Sequence, residues 1–304
     1  MTKSRPPFSS SFKESFKALL TSKEVWLTPA CQLVFLCGKK LDDPGCARKV
    51  LLDYAHKHIP ESRFFLAEDV FDALRLSGKS PDLLSVESYL ARCADSVIII
   101  LESDGAKVEL GAFAHDDELA KIMLTVNDAR FKGEASFISD GPLKKLNKLS
   151  KLGPTIYTDL KSIGRVHHLI EGRLKRIRRK KRKRLSVLSA KDFVSLPHKE
   201  RLFLVGDLIW LLSPVSHHEL IALLVETIGD VSYDFLRFEL SLLNSLKFIT
   251  TVEIKKQNYY ISASSMAKPF CEYDLDDAFE LRSEAIANYH KRGNARLAGL
   301  KERE

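Results

Sequence analysis

Glu109 has the surroundings that bear most directly on chemistry. It follows an unbroken apolar, β-branched run over 97–101, the pattern of a strand covered on both faces, and a polar turn over 102–105. From Lys107 a helical pattern begins, with Val108, Leu110, Ala112 and Phe113 available to pack. Glu109 is therefore expected in the first turn or so of a helix that opens at the carboxyl end of a buried strand, the edge where open α/β sheets bind ligands. A carboxylate there would be held ionised by the helix dipole. It could stabilise a developing positive charge or trap it covalently. The same Glu could simply complement the dipole. The capping-box form of that plainer reading is weakened, because the residue three positions earlier is Ala106 rather than Ser or Thr.

Five apolar runs, at 32–36, 63–66, 97–101, 121–126 and 155–157, alternate with helical patterns. With right-handed crossovers they predict an α/β domain with a five-stranded, parallel, flavodoxin-like sheet. Further polar residues fall at the same edge. Gly38, Lys39 and Lys40 follow the first strand, Glu68 and Asp69 leave the second, and Asn127 and Asp128 end the fourth. Glu87 lies on the helix before the central strand, and 131–142, with Gly133 and Gly141, is expected to be a loop serving as a lid. The turn at Gly38 could present backbone N–H groups to phosphate. Its spacing matches neither a Walker A nor a dinucleotide fingerprint, so an ordinary strand-to-helix loop stays open.

The length of 304 residues suggests about two domains. No apolar run approaches 18 residues and no signal-peptide pattern is present, so a cytoplasmic protein without a membrane span is expected. Cys31, Cys37, Cys46, Cys93 and Cys271 form no C-x-x-C pair, which predicts reduced thiols and no metal site. The net charge of +8 is local. Ten cations, Arg173, Lys175, Arg176, Arg178, Arg179, Lys180, Lys181, Arg182, Lys183 and Arg184, sit in one stretch without an acid. Without them, 38 basic residues stand against 40 acidic ones, a balance of −2. Lacking acids for i,i+4 pairing, the stretch is expected to be a partly ordered, helical linker that binds nucleic acid through phosphate neutralisation.

Boundaries follow. Residues 1–30 are an extension with a docking helix (Phe12, Phe16, Leu19, Leu20), 31–158 the α/β domain, 159–198 the basic helical linker, and 199–304 a second domain. In the last, helices are expected over 203–212, 216–228 and 232–246, with Ser216 and Ser232 as N-caps. Strands over 248–253 and 258–262 flank Lys255 and Lys256, giving a basic hairpin tip. That order is a winged helix-turn-helix arrangement. Its third helix carries only Arg237 and Lys247 as cations, so backbone contact or protein docking is expected as much as base readout. A mixed-charge helix over 274–296 would cover the domain.

Asp95, Ser103-Asp104-Gly105 and Glu109-Leu110-Gly111-Ala112 resemble the active-site strand and helix of nucleoside 2-deoxyribosyltransferases. They are closer still to the ribosyltransferase-like toxin effectors of bacterial retrons. Phe35-Leu36-Cys37-Gly38, Glu68-Asp69-Val70-Phe71, Leu83-Leu84-Ser85-Val86-Glu87 and Asn127-Asp128-Ala129-Arg130-Phe131-Lys132 carry the same resemblance, which covers roughly 30–150. It implies cleavage of an N-glycosidic bond, with NAD as substrate rather than cofactor. Glu109 would be nucleophile or electrostatic stabiliser, Asp104 and Glu87 would position ribose hydroxyls, and Gly38, Lys39, Lys40, Glu68, Asp69, Ser103, Gly105, Asn127 and Asp128 would bind substrate. Asp104 stands one residue closer to Glu109 than the transferases' matching Asp, where this chain has Ser103. The implied setting is an anti-phage toxin held inactive by a retron reverse transcriptase and its msDNA, alone or in a homo-oligomer or higher assembly. Two other classes stay open: a nucleoside or nucleotide deoxyribosyltransferase, and a non-catalytic DNA-binding regulator with a ligand-sensing domain.

Overall fold

The computed structural model describes residues 8–28, 31–76, 82–177, 182–273, 275–291 and 296–297. The chain forms two compact units, 31–179 and 1–30 with 180–304. In chain order, α1 (Ser10–Leu20) and β1 (Trp26–Leu27) belong to the second unit. The first unit follows with β2 (Gln32–Cys37), α2 (Ala47–His58), β3 (Ser62–Phe65), α3 (Ala67–Leu76), α4 (Leu83–Cys93), β4 (Ser96–Ile100), α5 (Asp104–His115), α6 (Asp117–Ala120), β5 (Met123–Asp128), α7 (Lys144–Leu149), β6 (Ile156–Thr158) and α8 (His167–Leu174).

All five strands of this unit are parallel, in the order β3-β2-β4-β5-β6. Numbered among themselves they run 2-1-3-4-5, the flavodoxin-like order. The sheet is apolar on both faces because helices cover both. Val34, Leu36, Ile98, Ile100, Leu124 and Val126 pack with α2 and α8 through Leu51, Ala55, Ile170 and Leu174. Elsewhere Phe35 stacks on Phe65 at 5.2 Å and meets Phe113 of α5 at 6.3 Å. Asp95 ties β2 to the start of β4, its carboxylate accepting the Leu33 N–H at 2.9 Å.

Two expectations here need correction. Helix α5 starts at Asp104, with Ser103 as N-cap accepting the Ala106 N–H at 3.2 Å, so Glu109 is the sixth helical residue and lies in the second turn. The serine that reads as part of a turn is the cap itself. Val108 then points to solvent at 70% exposure rather than packing. The lid region is not a loop throughout: a 3-10 turn spans Ala129–Phe131, and a π-helical turn over Ser139–Leu143 leads into α7.

The second unit continues with β7 (Lys183–Arg184), α9 (Ala190–Ser195), α10 (His198–Leu212), α11 (His217–Ile228), α12 (Leu236–Ser245), β8 (Ile249–Ile254), β9 (Gln257–Ser262), β10 (Cys271–Glu272) and α13 (Leu275–Lys291). Strands β8 and β9 form an antiparallel hairpin, and Val215, between α10 and α11, bridges to Tyr260 of β9. Helix α10 is buried almost all round because it runs through the middle of the unit, against α12 and α13. Helix α1 docks on α11 and α13, with Phe12 and Phe16 fully buried, each worth about 1.5–3 kcal/mol of apolar burial. Ser216 caps α11 in a capping box with Glu219. Ser232 caps nothing; its hydroxyl pairs with Asp234 at 2.9 Å, and α12 begins only at Leu236.

The helical linker expected over 159–198 also breaks. Helix α8 ends at Leu174, and Lys183–Arg184 forms a strand paired antiparallel with Trp26–Leu27. Strand pairing satisfies backbone groups of Lys183 and Arg184 while their side chains stay exposed. Arg178, Arg179, Lys180 and Lys181 lie outside the described residues.

Candidate active site

Glu109, Glu87 and Glu68 come together beyond the carboxyl ends of β2 and β4, with Cys37 and Arg48 among them. Glu109 is half-buried, and its Oε2 is shielded from solvent without a hydrogen-bond partner among the described residues. Burial raises its pKa above the ordinary carboxylate value. The Cys37 thiol, which donates to the carboxyl group, and the nearby Arg48 guanidinium oppose that rise, while Glu68 adds to it. Burial also dominates for Glu87, whose pKa is pushed up to about 7, with Glu109 and Glu68 contributing through repulsion. The helix dipole is therefore not what governs Glu109. In the second turn its field has faded, and desolvation exceeds it.

Arg48 is the residue that sequence reasoning missed. It lies on α2 with its side chain 5% exposed and makes a bidentate pair with Glu68, one arm at 3.2 Å. The arginine hydrogen-bonds Glu68 and acts on Glu109 only through its charge, so one Glu109 oxygen keeps no hydrogen-bond partner among the described residues. Arg48 shares the α2 stripe of Ala47, Leu51, Leu52 and Ala55. A lone cation on an apolar stripe needs a carboxylate partner, and that was the available signal.

Glu102 was likewise unsuspected. Its carboxylate accepts the N–H groups of Lys39 at 3.1 Å, Ala47 at 2.7 Å and Arg48 at 3.0 Å. Of the backbone donors expected to cradle a phosphate at Gly38 and Lys39, the Lys39 N–H is therefore occupied by a protein carboxylate. Gly38 is required there for space: a Cβ would lie 3.0 Å from Glu102 Oε1 and 3.2 Å from Arg48. Lys39 Nζ faces Asp43 at 3.6 Å and the Pro44 carbonyl at 3.4 Å, and Lys40 is exposed.

Other expected residues are placed less centrally. Asp104 does not join the carboxylate group; its side chain is 97% exposed and pairs with Lys107 at 2.9 Å, which lowers its pKa. Ser103 serves as the cap, and Gly105 is exposed within α5. Asp69 shares the first turn of α3 with Glu68. Asn127 is buried with its Oδ1 accepting the Asp128 N–H, and Asp128 is held by Arg130 at 3.0 Å.

The cationic stretch is more neutralised than its local sequence implies, since distant acids pair with it. Arg173 donates to the carbonyls of Leu152 (2.9 Å) and Pro154, a structural tie that withdraws it from any phosphate contact. Lys175 pairs with Glu171 at 2.6 Å, and Arg176 is exposed. In the second unit Arg182 pairs with Glu272 at 2.5 Å and Lys183 with Glu200 at 2.6 Å, leaving Arg184 exposed. Lys255 and Lys256 form the tip of the β8–β9 hairpin with φ of 51° and 63°, a left-handed pair that non-glycine residues rarely adopt. Two hollows among the described residues lie in this unit, and Glu109 lines neither of them. The carboxylate cluster is identified by its chemistry rather than its depth.

Comparison with known proteins follows the same lines. The family described as STM3845 retron effector protein matches residues 44–251. A protein of Escherichia coli retron Ec73, named for ribosyltransferase and DNA-binding roles, is 30% identical over 259 residues, covering 81% of each chain. Its counterpart in retron Ec86 of the same organism is 35% identical over 117 residues, 38% of each chain.

Proposed function

The chain belongs to the STM3845 retron effector family, and from that premise we propose that it cleaves the N-glycosidic bond of NAD or a related nucleotide. One observation carries this: a desolvated Glu109 oxygen with no protein partner among the described residues, among further carboxylates at the ligand-binding edge of the sheet. Glycosidic cleavage passes through an oxocarbenium-like state, which such a carboxylate stabilises or captures. Glu109 attacks C1′ of the ribose, and the electron pair of the C1′–N bond leaves on the nicotinamide nitrogen, which becomes neutral. No general acid is needed for that departure. Water then hydrolyses the glycosyl ester, releasing the ribosyl product and a proton and restoring the carboxylate. The Cys37 thiol and the Arg48 charge oppose the protonation that burial favours at Glu109. Glu87, about half-protonated near neutral pH, can both donate to and accept from a ribose hydroxyl.

In this reading the enzyme is a cytoplasmic toxin restrained by the retron reverse transcriptase and its msDNA, within a larger assembly, until infection releases it. Among the described residues no helix is long and apolar enough to cross a membrane. Nucleic acid is held by the cationic stretch and the second unit, whose order α10, Val215 bridge, α11, α12, β8, β9 is that of a winged helix. The strained lysine pair at the wing tip supports a phosphate contact.

A second reading, deoxyribosyl exchange between bases, is favoured by Glu102, because that carboxylate occupies the donors a pyrophosphate would use. The purified chain is incubated in parallel with NAD and with a purine deoxynucleoside plus a free acceptor base. Nicotinamide release supports the first reading and base exchange the second. Neither product, with a folded chain, would remove the enzyme assignment.

A further inference from the structure

The second unit contains an aromatic ring that neither the catalytic reading nor the core explains. Trp26 of β1 is only half-buried, and its Nε1 donates to Glu24 at 3.2 Å. The Arg182 guanidinium lies over the indole, 4.7 Å from its centroid, and is pinned by Glu272 at 2.5 Å. The register Trp26↔Arg184 and Leu27↔Lys183 places the end of the cationic stretch on the neighbouring strand. Trp26, Thr28, Arg182, Lys268, Phe270 and Glu272 line an open groove of about 750 Å³. A groove of that volume is within the range of small-molecule and nucleotide-sized sites, roughly 300–1,000 Å³.

We propose that this Trp26–Arg182 platform stacks an unpaired base of a single-stranded nucleic acid whose phosphates run along the adjoining cations. The proposal rests on the nucleic-acid reading above and sharpens it from nucleic acid in general to an unpaired strand. Single-strand binders combine a positive track for the backbone with aromatic rings for the bases, and here the two are joined by a strand pairing. A duplex cannot use the ring, since its bases are already stacked. The acids of the groove do not defeat the interaction. Glu24 is engaged by the indole N–H, while Glu272 is neutralised by Arg182 and accepts from Thr28 at 2.7 Å.

The test uses the full chain with a short labelled oligonucleotide, as DNA and as RNA, and a blunt duplex of the same sequence. Trp26→Ala should weaken single-strand binding about tenfold, within the roughly 5- to 150-fold that a stacked base contributes. Duplex binding and the salt slope should not change, because the phosphate contacts remain. Trp26→Phe should retain most of the single-strand affinity. The two arms identify whether DNA or RNA is preferred. A readout on the unaltered protein guards against misfolding: of the two tryptophans Trp210 is buried, so quenching of indole emission by the single strand but not the duplex reports on Trp26. Steep salt-dependent binding without that quenching, and with Trp26→Ala unimpaired, overturns this inference alone. Failure of either nucleic acid to bind overturns the wider reading with it.

Discussion

Replacing Glu87 by Gln should stabilise the protein, and more so as pH rises. Its carboxyl is half-buried and faces Glu109 and Glu68, which together with desolvation lift its pKa from 4.5 to about 7. A carboxyl whose pKa is raised by folding binds more protons folded than unfolded between those values. Stability is therefore lost as pH climbs from 4.5 through 7. At about 1.4 kcal/mol per pH unit the difference has a ceiling near 3 kcal/mol. Partial solvent access reduces it to about 1–2 kcal/mol. A neutral Gln escapes that penalty. For a unit of this size Glu87→Gln should raise the Tm at pH 8 by about 2–8 °C. At pH 5 the gain should shrink to about a quarter of that, because the wild-type carboxyl is then mostly protonated when folded. Thermal unfolding at both pH values, followed by calorimetry, measures the difference. An equal shift at the two pH values, or a loss at pH 8, would refute the account of Glu87 as an electrostatically strained acid.

Two further outcomes follow from the packing. Gly38→Ala should destabilise the first unit by about 1–3 kcal/mol, because its Cβ would press within 3.0 Å of Glu102 and 3.2 Å of Arg48; chemical denaturation checks this, and an unchanged midpoint would mean the loop yields freely. Asp207, fully buried on α10, accepts the N–H groups of Phe270 at 2.6 Å and Cys271 at 2.8 Å and the Tyr273 hydroxyl at 3.0 Å. Asp207→Ala strands those donors and should cost the second unit about 3–5 kcal/mol, read as a lower Tm or loss of soluble protein.

The parallel sheet was legible because helices cover both of its faces, so each strand is a continuous apolar run that no surface element would show. The place of Glu109 in the helix that follows the central strand was legible from the order of the runs, although its turn of that helix was not. What escaped depended on partners distant in sequence. Arg48 finds Glu68 twenty positions on, and Glu102 reaches back to the start of α2, so neither pairing leaves a local spacing. The pairing of Lys183–Arg184 with Trp26–Leu27 involves two residues per strand, too short for any periodicity. The cationic stretch carries no acid of its own, yet Glu171, Glu200 and Glu272 neutralise part of it, as charge balance in a folded chain allows from any distance. Asp104 illustrates the opposite error: adjacency to the site in sequence placed it on the outer face of the first helical turn.

The most direct measurement is release of nicotinamide from NAD by the purified protein and by Glu109→Gln, with thermal unfolding recorded for both. Glu109→Gln should lower the rate at least about 100-fold while the protein stays folded and no less stable, and the wild-type rate should rise with pH as the raised pKa of Glu109 is passed. A folded Glu109→Gln protein that releases nicotinamide as fast as wild type would contradict the assignment of this carboxylate as the reacting group.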